Sequence, residues 1–255
     1  MECHEFAPGM WLGTYQSFES VAMTRHNFKL VINCSPTYKF LAHLENSNMA
    51  ISSDVIMVSL DPGFSTDNFS PDESERLMEY ITRLNRVLQN YIGHFYGLNS
   101  RAHNLIHPMP NGRPFSMSSP VLSGSLKPHL FSLNRLIKLL RHVDDTIEVA
   151  IVSSENFNSV ATGLAMSYLM DHYGLNYGAS YNRLVARTDG VCPLNPSFYD
   201  DLLVIEAVRQ FSTENNAIKH NSTVLTTHCK LKRKNDDDDL YSHKRRTGDD
   251  VLYVD

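Results

Sequence analysis

Short runs of branched apolar residues constrain the fold of this chain more than any other feature. Phe28–Cys34 and Glu148–Val152 are rich in valine, isoleucine and leucine, which is typical of strands buried on both faces of a sheet. Shorter strand patterns lie at Gly9–Gly13 and Asp54–Leu60, the second of which stops at an Asp-Pro-Gly turn. Helical patterns separate these strands, and this alternation predicts an α/β fold.

The helical patterns show start signals and apolar faces. Ser70 is a predicted N-cap, with Pro71 at the first helical position and acidic residues after it. Leucine and isoleucine then recur at three- and four-residue steps from Leu77 to Ile92, which marks one apolar face. Further helices are predicted at Ser17–His26, Phe131–His142, Ser159–His172, Asn176–Thr188 and Pro196–Phe211.

Two segments break this regular pattern. From about residue 93 to residue 130 the sequence is dominated by Gly, Pro, Ser, Asn and His, which predicts a long insertion. The insertion lies inside one domain that spans residues 1–213. Residues 214–255 become polar, and the end of this segment is low in complexity, so a disordered charged tail is predicted.

Composition excludes several classes of protein. A formal net charge of −5 argues against a general nucleic-acid binder. Four cysteines without a CxxC pair fit reduced thiols in the cytosol or nucleus. The sequence shows neither a signal-peptide pattern nor an apolar run long enough to span a bilayer. We therefore expect a soluble intracellular protein with no membrane partner.

The tail carries two basic clusters separated by an acidic spacer. The first cluster is Lys230, Lys232, Arg233 and Lys234, and the second is Lys244, Arg245 and Arg246; the predicted import residues are Lys232, Arg233, Lys234, Lys244, Arg245 and Arg246. This spacing matches a bipartite nuclear import signal, so we expect an import receptor as a partner and localisation to nucleus and cytoplasm. The alternative interpretation is a solvated tail of mixed charge.

The segment Ile151–Met170 points to a family. It reads Ile-Val-Ser-Ser-Glu-Asn-Phe-Asn-Ser-Val-Ala-Thr-Gly-Leu-Ala-Met-Ser-Tyr-Leu-Met. It resembles the catalytic segment of dual-specificity protein tyrosine phosphatases, in which a strand is followed by His-Cys, five loop residues, Arg and a helix ending Ala-Tyr-Leu-Met. The register places the family's His on Ser153, its nucleophilic Cys on Ser154, its loop Gly on Phe157 and its Arg on Val160.

Flanking segments extend the resemblance over roughly Pro8 to Phe211. Pro8–Gly13 is similar to the opening strand, Phe28–Ser35 to a core strand, and Tyr181–Phe198 to the closing helix and Pro-Asn segment. Asp61 lies where the family's general acid is expected. The resemblance implies the dual-specificity phosphatase-like fold, with a central, mostly parallel sheet and helices on both faces.

The same resemblance implies that the chemistry has been lost. A serine hydroxyl is far more basic than a thiol, so Ser154 lacks a route to a phosphoenzyme. Val160 supplies neither charge nor hydrogen-bond donors to a phosphate. Glu155 adds negative charge, and Phe157 replaces the glycine that lets the loop curl. The degenerate loop positions are Ser153, Ser154, Glu155, Phe157, Ser159 and Val160, and the acid position Asp61 is retained.

We therefore predict a pseudophosphatase that is not an enzyme and needs no cofactor or metal. It would act as a binding or scaffold module in phosphorylation signalling, with a kinase or phosphoprotein as the partner class that the resemblance implies. The alternatives are an active phosphatase that uses Ser154 or Cys192, a phospho-residue reader, and an interaction module unrelated to phosphate. His103 and His107 have metal-like spacing, but no third ligand completes a site, and Asn158 or Ser159 serves as a helix cap.

Overall fold

A computed structural model describes most of the first 212 residues of the chain. The described residues are 2–22, 27–47, 55–61, 69–98, 121–122, 126–154, 158–188, 192–196 and 198–212.

The described strands form one six-stranded sheet. They are β1 (His4–Ala7), β2 (Met10–Thr14), β3 (Phe28–Asn33), β4 (Ile56–Leu60), β5 (Val121–Leu122) and β6 (Glu148–Ser153). Their order across the sheet is β1-β2-β6-β3-β4-β5, in which β1 runs antiparallel to β2 and all other neighbours are parallel. The prediction of a central, mostly parallel sheet is confirmed.

Seven helices surround this sheet within the described ranges. They are α1 (Tyr15–Ala22), α2 (Thr37–Asn46), α3 (Pro71–Phe95), α4 (Leu126–Val143), α5 (Ser159–Tyr173), α6 (Tyr177–Arg187) and α7 (residues 198–212). The predicted start of α3 is confirmed, because Ser70 and Glu73 form a reciprocal capping box. Asn158 and Asn176 cap α5 and α6 through their side chains.

The sheet is covered on both faces, as predicted. One face contributes Leu12, Leu30, Ile32, Val149 and Ile151 to a first core, against which α4, α5, α6 and α7 pack. The other face contributes Trp11, Val31, Met57, Ala150 and Val152 to a second core with α1, α2 and the start of α3. Every residue of β6 is buried, because this central strand has a core on each side.

Several elements differ from the sequence prediction. Helix α4 begins at Leu126 rather than at Phe131, because Pro128 lies in its first turn, where a helix does not need the missing N–H group. Helix α3 continues to Phe95, so both ends of the predicted insertion are helical. Strand β5 pairs with β4 inside that segment, and the prediction missed it together with β1 and α2.

The remainder of the insertion, residues 99–120 and 123–125, lies outside the described residues. The chain divides into two compact units, Met1–Gln210 and Phe211–Asp255, and the second is described only at residues 211 and 212. The predicted tail and its import signal therefore stay predictions. Within the described ranges, none of the helices combines the length and the apolar character needed to cross a bilayer.

Candidate functional site

The turn between β6 and α5 lies at the centre of the carboxyl edge of the sheet. Strand β6 ends at Ser153, whose side chain is buried, and Ser154 follows in a half-buried position. Helix α5 begins at Ser159, directly after its N-cap Asn158. A strand that leads into a helix N-terminus at this edge is the usual location of ligand sites in parallel α/β proteins.

Strand register brings three polar residues to the same edge of the sheet: the predicted site residues Ser154 and Asp61, and their neighbour Ser35. Asn33 of β3 lies opposite Val152 of β6 and also opposite Ser59 of β4. The three strands are parallel, so residues that follow these aligned positions reach the same edge. Ser35, Ser154 and Asp61 lie two residues after Asn33, Val152 and Ser59, respectively. The structure therefore places Ser154 and Asp61 on the same edge, with Ser35 between them, just after the end of β3.

A buried hydrogen-bond network connects the residues at this edge of the sheet. The Tyr15 hydroxyl donates to Asn33 Oδ1 at 2.5 Å. Asn33 Nδ2 donates to Ser59 Oγ at 3.0 Å and to the Ser35 carbonyl at 2.8 Å, and the Ser35 amide donates back to Asn33 Oδ1 at 3.0 Å. Because Asn33 and Ser59 are fully buried, these bonds satisfy polar groups that would otherwise be costly to desolvate.

Both ends of the β6–α5 turn are bonded to the segment that follows β3. The Ser154 amide donates to Ser35 Oγ at 2.9 Å. Asn158 Nδ2 donates to the same Ser35 Oγ at 3.3 Å and to the Cys34 carbonyl. Asn158 Oδ1 accepts from the Ala161 amide at 2.8 Å, so this one side chain joins β3 to the start of α5.

Asp61, which was predicted at the general-acid position, contacts the N-terminus of helix α2. Asp61 Oδ2 accepts a hydrogen bond from the Thr37 amide at 2.9 Å, in the first turn of α2. Pro36 is the N-cap of α2 and provides no side-chain cap bond, so Asp61 supplies the acceptor and the negative charge that a helix N-terminus favours. The position therefore has a structural role that the sequence prediction did not anticipate.

Two further predicted loop residues, Ser159 and Val160, lie in the first turn of α5. Val160 is half-buried and packs against the first core, and Ser159 is half-buried at the first position of α5. Glu155 and Phe157 lie outside the described residues. Val160 thus contributes an apolar side chain to the packing at the start of α5.

Two cysteines of the described residues, Cys34 and Cys192, are buried. Cys34 follows β3 directly, and burial raises the pKa of its thiol far above the usual range. Cys192 is buried against the first core beside Thr188 Oγ1, with 2.9 Å between the sulfur and the oxygen, and burial raises its pKa as well. Neither environment favours the thiolate that a covalent mechanism requires.

Metal-binding side chains do not cluster in the part of the chain that is described: it contains no group of three or more His, Cys, Asp or Glu residues suited to hold an ion. The pair His103 and His107 lies outside that part.

Sequence reasoning missed Tyr15, Asn33 and Ser35 as members of this site. Asn33 and Ser35 did carry a signal, because polar residues at the end of a strongly apolar strand are expected to hydrogen-bond when they are buried. Tyr15 gave no such signal, since its bond to Asn33 depends on how α1 packs on the sheet.

Comparisons with known proteins give similarity to solved structures alone. No protein-family model matches the sequence, and no curated protein matches it. Human DUSP28 is similar with 13% identity and a TM-score of 0.43, over 82% of this chain and 96% of that one. The human tyrosine phosphatase-like serine/threonine/tyrosine-interacting protein is similar with 13% identity and a TM-score of 0.43, over 82% and 98%.

A third similar structure is that of DUSP15, with 13% identity and a TM-score of 0.39, over 79% of this chain and 85% of that one. These solved structures are dual-specificity or related tyrosine phosphatases. At such identities and TM-scores the likeness does not assign the chain to a family, so function is inferred from the residues of the site.

Proposed function

We propose that this chain is a catalytically inactive relative of the dual-specificity phosphatases, and that it acts by binding a protein partner. The observation that carries this proposal is the pair Ser154 and Val160, the first directly after β6 and the second in the first turn of α5. These positions correspond to the nucleophile and the phosphate-binding arginine in the family register, and here they hold a hydroxyl and an apolar side chain.

A hydroxyl at Ser154 needs a general base to become a nucleophile. Among the described residues, strand register brings Asp61 to this edge, and its carboxylate accepts from the Thr37 amide. The Ser154 amide donates to Ser35 Oγ rather than toward a ligand. A charge-assisted hydrogen bond contributes about 1.5–3 kcal/mol, so the replacement of arginine by Val160 removes a large part of the affinity for phosphate.

A domain that does not bind phosphate at this turn can bind a protein through another surface. Phe95 and Leu98 are exposed, 48% and 92% respectively, where the polypeptide enters the predicted insertion. Adjacent exposed apolar side chains are a common feature of protein interfaces. The insertion is therefore the proposed contact region, and a kinase or a phosphoprotein is the proposed partner class. Import into the nucleus by an import receptor belongs to the same proposal.

The catalytic half of the proposal is tested with the recombinant full-length chain and its Ser154→Ala variant. We expect neither protein to hydrolyse a small aryl phosphate or a phosphotyrosine peptide above the buffer rate. Hydrolysis by the wild-type chain that disappears in Ser154→Ala would overturn the assignment. Hydrolysis that disappears in Cys192→Ala instead would identify the sulfur as the nucleophile.

The binding half is tested by affinity purification from cells with the full chain as bait. In a matched variant, residues 99–120 are replaced by a Gly/Ser linker of equal length, which leaves α3, β5 and α4 in place. We expect signalling proteins to be recovered with the wild-type chain and lost with the variant. Equal recovery would place the contact elsewhere, and binding only to phosphopeptides would favour a phospho-residue reader.

A further inference from the structure

Aromatic side chains and cations from three helices meet near the C-terminus of α5. The His172 ring stacks on Tyr168 with centroids 5.1 Å apart, and the Tyr173 ring packs edge-on against both, at 4.9 Å from His172 and 6.2 Å from Tyr168. From α6, the Arg183 guanidinium lies 4.7 Å from the centroid of the Tyr173 ring. From α4, Arg141 donates to the Tyr168 hydroxyl at 2.9 Å. These contacts join the three helices in one continuous group.

Positive charge exceeds negative charge in this group. Lys138 of α4 pairs with Asp171 at 2.9 Å, and its side chain remains 48% exposed. Among the described residues, neither Arg141 nor Arg183 forms an ion pair with a carboxylate. The group therefore differs in sign from the chain as a whole, whose formal net charge is −5. We call its solvent-accessible members the cation–aromatic surface: Lys138, Arg141, His172, Tyr173 and Arg183.

The positive charges act on a titratable group within the cation–aromatic surface. Partial burial lowers the pKa of His172, and the charges of Arg141 and Lys138 lower it further, against the opposing effect of Asp171. A ligand that carries negative charge would offset the two cations. The surroundings of His172 thus favour an anionic ligand over a cationic one.

Arg183 is the cation best placed to bind a carboxylate. Its guanidinium lies over the Tyr173 ring, and among the described residues no hydrogen bond or ion pair uses its N–H groups. A guanidinium in this position presents its N–H groups at its edge, in the planar fork that matches a carboxylate. The contact with Tyr173 also restricts the side chain before a ligand arrives, which reduces the entropy lost on binding.

We propose that the cation–aromatic surface binds an acidic segment of a partner protein, with carboxylates on both sides of an apolar side chain. Arg183 reaches the surface from α6, whereas Lys138 and Arg141 reach it from α4, and the rings of His172 and Tyr173 connect the two groups. Charges distributed over two helices suit a segment with several carboxylates better than one compact anion, which needs converging donors.

This inference goes beyond the proposed function. The cation–aromatic surface lies at the opposite end of α5 from its N-terminus at Ser159, so it is separate from Ser154 and Val160. It requires neither the loss of catalysis nor a contact through residues 99–120.

Fluorescence anisotropy of a labelled peptide tests the proposal on the full chain. The probe is a short synthetic peptide with Asp and Glu on both sides of one Leu, and a peptide with Asn and Gln in place of the acids is its control. We expect only the acidic peptide to bind, and raised ionic strength to weaken it, because the cations are near solvent. We expect Arg183→Glu to weaken binding at least about tenfold, since carboxylates then face a carboxylate.

Two matched variants separate the cation–aromatic surface from net charge. Arg86→Glu makes the same change of charge at an exposed position of α3, and we expect it to bind the peptide like the wild-type chain. Arg183→Lys keeps the charge but loses the planar fork, so it should weaken binding less than Arg183→Glu does. Equal weakening by Arg86→Glu and Arg183→Glu would overturn the proposal, and so would no binding of the acidic peptide to the wild-type chain.

NMR titration of the His172 ring gives a readout that needs no variant. Bound carboxylates offset the nearby cations, so a saturating amount of the acidic peptide should raise the pKa of His172, while the uncharged peptide should leave it unchanged. The same pKa with and without the acidic peptide would overturn the proposal. Binding of inorganic phosphate as tightly as the peptide would also overturn it, because the ligand would then be a compact anion.

The outcomes separate this inference from the proposed function. The variant with residues 99–120 replaced by a linker should bind the acidic peptide like the wild-type chain, and loss of peptide binding in it would contradict the cation–aromatic surface. Hydrolysis that depends on Ser154 would overturn the proposed function alone, and it is measured in a separate assay.

Discussion

Gly9 lies where a side chain is disfavoured both by the backbone conformation and by the neighbouring atoms. Its φ of 68° lies in the left-handed region, where a Cβ atom is strained. A Cβ atom there would also meet the Arg141 guanidinium and lie 3.0 Å from the Ile147 carbonyl oxygen. Arg141 donates to the Pro8 carbonyl and, at 2.9 Å, to the Tyr168 hydroxyl, so this glycine lets the β1–β2 turn approach α4 and α5.

We expect Gly9→Ala to lower the free energy of unfolding by about 1–3 kcal/mol, because strain and the displacement of Arg141 add together. Urea denaturation checks this value. Gly93→Ala is the control: Gly93 lies in α3 with nothing within 4 Å of an added Cβ, so alanine should stabilise by up to about 1 kcal/mol. Similar effects of the two replacements would contradict the geometry assigned to Gly9.

Helices α4 and α5 contact each other through charged and aromatic side chains near the C-terminus of α5. Lys138 pairs with Asp171 at 2.9 Å, and the His172 ring stacks on Tyr168 with centroids 5.1 Å apart. Burial, followed by the positive charges of Arg141 and Lys138, lowers the pKa of His172, against a smaller opposing effect of Asp171. Burial and the two cations of α4 thus lower the pKa of His172.

This shift predicts a pH dependence of stability. A histidine whose pKa is lower in the folded chain binds its proton more readily when unfolded, so stability is lost as the pH falls through the usual value of 6.5. We expect His172→Gln to lose less stability than the wild-type chain between about pH 7.5 and about pH 5.5, measured by urea denaturation.

Lys138→Met offers an independent check on the His172 prediction. Removal of one of the two cations should raise the pKa of His172 toward its usual value, which NMR titration of the ring measures directly. An unchanged pKa in this variant, or the same pH slope in His172→Gln as in the wild-type chain, would contradict the assignment.

Elements with strong local patterns were predictable, and those that depend on distant partners were not. Strand β6 and helix α5 were predicted because Val149, Ile151 and the apolar residues of α5 give unambiguous patterns. Strand β5 has only two residues and exists by pairing with β4, so no local pattern marks it. Helix α2 receives its cap bond from Asp61 in a different segment of the chain, which explains why it shows no N-terminal signal.

The candidate site was predictable in part for the same reason. The order of strand, turn and helix placed Ser154 and Val160 correctly relative to β6 and α5. The hydrogen-bond partner of the Ser154 amide is Ser35, which lies more than a hundred positions earlier in the chain. Sequence spacing carries no information about such a pair until the strand order is known.

At the scale of the whole molecule, the second unit adds a prediction about localisation. We expect the full chain, fused to a large reporter that cannot diffuse through nuclear pores, to leave the nucleus when Lys244, Arg245 and Arg246 are replaced by alanine. Fluorescence microscopy measures the ratio of nuclear to cytoplasmic signal. Replacement of three exposed cations of the folded part, Arg86, Arg135 and Arg187, controls for the change in net charge. An unchanged ratio in the tail variant would contradict the import signal.

The position of β6 has a consequence for how the molecule is made. Of the six strands it is synthesised last, yet it joins β1 and β2 on one side to β3, β4 and β5 on the other. Until the ribosome has released Ser153, both groups of strands expose an unsatisfied parallel edge, which is a template for intermolecular pairing. We therefore expect a nascent or truncated polypeptide that stops short of β6 to aggregate more readily than the finished domain.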